Sequence, residues 1–227
     1  GLSRLASVLA IKINITHCKL KKSIQNKLLE FFVLEVTARA AADLLGIQAN
    51  SAIFLQKIRE VISYHLALEA DEVFDGQIEL DESYFGGPRK GKRGRGAAGK
   101  VAVFGLLKQQ GKVFTVVVEN TRTETLMPVI ARKIKTNSWV HTDTYRSYDA
   151  LDVTNFTTNS QSFRTICGET KPHKWNRKFL ESGEENTPKN NGIDRKNFPL
   201  FLKECEFWFN FGAPKEQLKT LRKWCGI

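Results

Sequence analysis

The chain has 227 residues, with 35 Lys or Arg against 24 Asp or Glu, giving a net charge of +11 and a pI near 9.6. That length allows one large domain, or a medium domain with a small companion, and 41% hydrophobic residues exclude a wholly disordered chain. No apolar run approaches the ~18 residues that span a bilayer, and Leu5–Ile15 is short, carries Lys12 and is followed by no small-residue cleavage site, so a cytoplasmic, nucleoid-associated protein without a membrane partner is expected.

The positive surplus points to a polyanion, because basic proteins concentrate at phosphate backbones; a generically basic surface is the alternative. The cysteines, Cys18, Cys167, Cys205 and Cys225, lie too far apart for a CxxC pair and are too few for a disulfide scaffold, so all are expected as free thiols.

Residues 1–18, beginning Gly1-Leu2-Ser3, are expected to be a disordered or non-native leader. Helical signals follow. Ile24, Leu28, Phe31 and Phe32 recur at helical spacing behind Lys19, Lys21 and Lys22. Thr37 suits an N-cap, Ala40–Ala42 favour helix, and Gly46 suits a tight exit. A further helix from about Asn50 to Leu66 should bury Ile53, Phe54, the Lys57 stem, Ile58, Val61 and Ile62. Helix, glycine turn, helix is the layout of a helix-turn-helix DNA reader, which an ordinary helical hairpin shares. Domain boundaries of 19–70 and 75–227 follow from the change in pattern beyond this helix.

Gln77–Phe85 alternates with period two and ends at Gly86-Gly87-Pro88, as a strand and turn do. Val101–Lys108 and Val113–Glu119 form a hairpin across Gln109-Gln110-Gly111-Lys112. Thr123 to Lys135 reads as a helix with Pro128 in its first turn. Trp139–Asp143 reads as a short buried strand, and Phe198–Phe211 as a helix. This succession makes an α/β domain.

Asp81 and Asp143 lie on different hydrophobic strands, at or near their ends. A carboxylate in such a place is costly unless it is paired or binds a cation, and two of them suit Mg²⁺. Paired metal ions clamp the attacking and leaving oxygens of a phosphodiester; solvated or ion-paired aspartates are the alternative. Between the strands, Arg89–Lys100 holds Arg89, Lys90, Lys92, Arg93, Arg95 and Lys100 among four glycines, with no acid. Such a loop can follow a phosphate chain. It is not a nucleotide P-loop, because Val101 stands where that motif needs a hydroxyl.

Phe74–Gly87, the basic run to Lys100 with the following Val-Ala-Val-Phe-Gly-Leu-Leu, Thr142–Tyr148 and Phe198–Asn210 together resemble bacterial insertion-sequence transposases of the ISXO-two-like DDE group, with coverage from about Lys19 to Asn210. The resemblance implies an RNase H-like mixed sheet with flanking helices behind a small all-α helix-turn-helix domain. It implies cleavage and joining of double-stranded DNA, at terminal inverted repeats and target, using two Mg²⁺ or Mn²⁺ ions, usually by a homo-oligomer. Asp81 and Asp143 align with the first two catalytic and metal-binding carboxylates. Arg39, Asn50 and Lys57, within Thr37–Leu66, are candidate DNA contacts together with the basic loop. His141 is read as structural.

The family's third acid lies in a His-Ile-Asn-Gly-Ile-Glu-Asn-Phe-Trp motif, absent here. Residues 157–191 hold only Ile166 and Leu180 as aliphatics, too few to bury a catalytic helix and its supporting strand. Read one base later with suitable synonymous codons, Lys171–Lys189 becomes NHINGIENFWNQAKKTLRK, and Ser160–Thr170 becomes VNHSELFVEKQ. The glutamate would straddle the codons of Arg177 and Lys178. Two compensating frameshifts are therefore expected, one between Val153 and Gln161 and one near Asn190, leaving 157–190 out of frame. Glu181, Glu184 and Glu185 are poor substitutes without a helix to position them. The expectation is a transposase by descent, inactive in this copy; the alternatives are a non-catalytic DNA-binding remnant and a pseudogene product that does not fold stably.

Overall fold

The computed structural model describes residues 15, 18–48, 51–69, 72–85, 100–108, 111–142, 157–159 and 196–227. The chain forms two compact units, one from residues 1–70 with 211–227 and the other from 71–210. The sequence pattern places 75–227 in one domain; here the last helix, within 211–227, groups with the first three.

The helical unit contains α1 (Lys22–Val33), α2 (Ala38–Leu45), α3 (Ser51–Leu68) and α6 (Pro214–Cys225). Thr37 caps α2, its hydroxyl accepting from the Ala40 N–H at 3.3 Å. Gly46 ends the helix at φ +59°, where a side chain would be strained, and the Ile47 N–H closes back on the Ala42 carbonyl at 3.0 Å. Leu28, Leu29 and Phe32 of α1, Ile58 and Ile62 of α3 and Leu221 of α6 are buried. Ile53, expected on the buried face of α3, is 60% exposed, and Leu55 is buried instead. Phe54, Ile58, Val61 and Ile62 set the buried arc, and Ile53 falls at its edge. Arg222 of α6 donates to Asn26 at 3.0 Å and pairs with Glu30 at 3.3 Å, while the Lys22 ammonium reaches the Gly226 carbonyl at 3.0 Å. His65 of α3 stacks flat on Trp224, ring centroids 4.5 Å apart.

The second unit contains β1 (Gln77–Phe85), β2 (Val101–Lys108), β3 (Val113–Val118), α4 (Thr123–Lys133), β4 (Trp139–His141), β5 (Thr157–Asn159) and α5 (Phe198–Asn210). The sheet order is β3-β2-β1-β4-β5, with β2 antiparallel to β1 and β3, β4 parallel to β1, and β5 parallel to β4. A meander of three antiparallel strands extended by parallel strands beyond the first is an RNase H-like mixed sheet. β5 opens the stretch expected to lack a supporting strand; Thr157 and Thr158 are β-branched and suit a strand.

Alternation sends the two faces of the sheet to different helices. Ile78 and Leu80 of β1, Phe104 and Leu106 of β2 and Val140 of β4 form one core with Leu126 and Ile130 of α4. Phe85, Val103 and Val113 form another with Phe198, Leu202 and Cys205 of α5. Pro128 stands inside α4 rather than in its first turn, because the helix begins at Thr123. Its missing N–H forfeits one hydrogen bond of the second turn. Cys18, Cys205 and Cys225 are free thiols as expected, and Cys167 lies outside the described residues.

Candidate active site

Period-two alternation places Glu79, Asp81, Ser83 and Phe85 on the face of β1 that carries α5. Asp81 is half-buried on the central strand. Its cross-strand partner on β2 is Gly105, a buried residue that carries no side chain. Two residues back, Glu79 stands between Leu107 of β2 and His141 of β4. Glu79 and His141 sit in register on parallel strands, so a carboxylate and an imidazole share one end of this face.

The electrostatics of this corner follow from its burial. Desolvation, and then the negative charge of Asp81, push the Glu79 carboxyl up to about 7. Burial alone lowers the pKa of His141, which is 4% exposed, so the neutral imidazole is favoured. The Glu79 Oε2 atom is buried and accepts no hydrogen bond among the described residues. An oxygen-seeking cation would satisfy this orphaned oxygen and relieve the repulsion with Asp81, so the donors present fit Mg²⁺ or Mn²⁺. They do not complete a site: among the described residues no three His, Cys, Asp or Glu gather where one ion could be held.

Of the residues predicted from sequence, Asp81 is on this face, and Lys100 is half-exposed immediately before β2. Arg39 is exposed on α2 and Lys57 half-buried on α3, both in the helical unit. Asp143, Asn50, Arg89, Lys90, Lys92, Arg93 and Arg95 lie outside the described residues, as do Glu181, Glu184, Glu185 and all of the supposed out-of-frame segment beyond β5. Glu79 was missed. Its signal was present in the alternation, since a residue two before Asp81 on a strand shares its face.

On the same face, α5 is bound to β3 through a buried carboxylate. Glu206 accepts from the Thr115 N–H at 2.9 Å and from the Thr115 hydroxyl at 2.6 Å, and it pairs with Lys203 at 2.7 Å. Asn210 brackets Val113, accepting from its N–H at 2.8 Å and donating to its carbonyl at 2.9 Å. These bonds hold α5 against the sheet edge away from β4.

The family profile described as the ISXO2-like transposase domain matches residues 73–210. An "Uncharacterized transposase-like protein" of Haemophilus influenzae is 40% identical over 115 residues, covering 49% of this chain and 92% of that protein. Among solved structures, the Mos1 strand transfer complex is similar at a TM-score of 0.39 and 12% identity, covering 99% of this chain and 82% of that one. A pre-cleavage Mos1 transpososome is similar at 0.34 and 12%, covering 94% and 79%.

Proposed function

Because the chain belongs to the ISXO2-like transposase family, we propose that it descends from an enzyme that cleaves double-stranded DNA at the ends of a mobile element and joins them to target DNA, and that this copy has lost the chemistry. The observation that carries this reading is Asp81, a half-buried carboxylate on the central strand beside the orphaned oxygen of Glu79 and the bare backbone of Gly105.

In the intact arrangement Asp81 and Asp143 would hold the metal ions. Their pairing rests on the sequence resemblance; the observed register pairs Glu79 with His141 two residues before each. When bound, divalent ions supply charge neutralisation at the attacking and leaving oxygens of an in-line phosphodiester displacement. The chain's own part is positional. The five-stranded sheet fixes the Asp81 backbone. Lys100, with Arg89, Lys90, Lys92, Arg93 and Arg95, attracts and aligns the DNA backbone. Arg39, Asn50 and Lys57, on the α2–turn–α3 element acting as a helix-turn-helix, contact the terminal repeats, and two or more copies act on paired ends.

The third acid belongs to the motif that the reading frame of 157–190 disrupts. Two carboxylates hold a second ion poorly, so strand transfer is expected to fail. A plasmid excision and joining assay with Mg²⁺ or Mn²⁺ tests this: no product is expected, and robust activity abolished by Asp81→Ala would overturn the inactivity. The nucleotide sequence across residues 150–195 tests the cause, because the shifted frame must spell the missing motif. A second reading, a non-catalytic DNA-binding protein, is favoured by the helical unit, which has its own buried core. It differs in predicting salt-dependent DNA binding by a chain that never cleaves.

A further inference from the structure

α6 presents two opposed faces. Gln217, Leu221, Trp224 and Cys225 are buried against the helical unit. On the opposite side, Lys215, Lys219 and Lys223 recur at four-residue steps, and all three are exposed. Four-residue steps on a helix drift only slightly around its axis, so the three ammonium groups form one stripe about 12 Å long. Glu216, in the first turn, is the one acid of this helix. Among the described residues no carboxylate comes within ion-pair range of Lys215, Lys219 or Lys223.

The stripe continues onto α1. The bond from Lys22 to the Gly226 carbonyl and the contacts of Arg222 with Asn26 and Glu30 lay the two helices side by side in opposite directions. The start of α1 therefore meets the end of α6. Lys19 and Lys21, both exposed, extend the positive surface beyond the Lys223 end of the stripe. Glu30, the acid facing this seam, is already neutralised by Lys27 at 2.7 Å and by Arg222 at 3.3 Å. Like charges concentrated this way repel one another in the free protein, and a polyanion relieves that repulsion while releasing its own counterions.

Taking DNA as the partner, as proposed above, we infer that the exposed face of α6 with the start of α1 is a second DNA-backbone contact surface, distinct from the α2–turn–α3 element and from the loop before β2. Its ligand is the phosphodiester backbone of duplex DNA, bound without regard to sequence. Lysines are suited to this role: each is a point charge on a flexible stem and imposes no planar, bidentate geometry.

The test is a salt titration of binding to a random-sequence duplex by fluorescence anisotropy, using the full chain and its K215Q/K219Q/K223Q variant. Each phosphate contact contributes about −0.9 to the slope of log K against log salt. The variant is expected to lose about 2 to 3 units of slope and at least ~10-fold in affinity at 0.1 M salt. Lys→Arg replacement at the same three positions is expected to restore both, and thermal melts of all three proteins should coincide, since the side chains are exposed. If the Lys→Gln variant keeps the slope and affinity of the parent chain, the α6 surface is not a contact and DNA binding by the rest of the protein stands. If the parent chain itself shows no salt-dependent binding, both this surface and the DNA reading fall.

Discussion

Glu79 and Glu206 are carboxylates on or against the same face of the sheet, in opposite circumstances. Glu206 has its charge answered by Lys203 and by both donors of Thr115. Glu206→Ala leaves a buried N–H, a hydroxyl and an ammonium without their acceptor, a loss of ~3 kcal/mol that urea unfolding would measure as a lower midpoint at unchanged slope. Glu79 has one oxygen without a partner among the described residues, and a like charge nearby. Its carboxyl titrates at about 7 in the folded chain against an ordinary value of 4.5, so between these pH values the folded state holds a proton that the unfolded state releases. Stability from this group is therefore full below about 4.5, falls as pH rises, and is at its lowest above about 7. Glu79→Gln removes the titration. In the presence of EDTA its melting temperature should pull away from that of the parent chain between pH 5 and pH 7 and keep a constant lead above pH 7. A gap that does not change with pH would mean that Glu79 is solvated.

At the scale of elements, the strands β1, β2 and β3 were legible because alternation and the glycine-bearing turns mark them directly; Gln77–Phe85 and Val101–Lys108 form as expected. α2 was legible for a local reason too. Its N-cap and its left-handed exit residue are spelled at both ends, so Thr37→Ala should cost ~1 kcal/mol, and Gly46→Ala a similar amount through the φ of +59°. Thermal melts of the two single variants and of the double variant would show whether the two ends contribute independently. Ile53 was misjudged because an apolar residue at the edge of a helical arc looks the same in sequence whether it faces core or solvent. The alternation that puts Asp81 on one face of β1 puts Glu79 there too, but the burial of Glu79 beside β2 and β4 is a tertiary fact that the alternation does not carry. The destination of α6 was not legible either. Gln217, Leu221 and Trp224 are plainly one face of a helix, but nothing in their spacing says which unit that face covers.

At the scale of the molecule, that destination changes what counts as the N-terminal module. Residues 71–210 are inserted between α3 and α6, and the helical unit is completed only by chain from beyond the sheet. Leu221 is fully buried, Cys225 is nearly so with its thiol pushed up to about 12 by burial, and Trp224 stacks on His65. Removing residues 211–227 strips these side chains from the core, and buried Leu or Trp removed singly already costs ~2 to 5 kcal/mol, comparable to the whole stability of a unit this size. A fragment of residues 1–70, the natural choice for isolating a helix-turn-helix, should therefore lack a cooperative thermal transition by circular dichroism. The same fragment joined to residues 211–227 through a Gly/Ser linker should regain one. Recovery should fail with Leu221→Ala and Trp224→Ala together, and persist with Lys215, Lys219 and Lys223 all replaced by Gln, because the first pair is core and the three lysines face water. A cooperative melt of 1–70 alone, at the midpoint of the joined protein, would show that α6 is an attachment to a module complete without it.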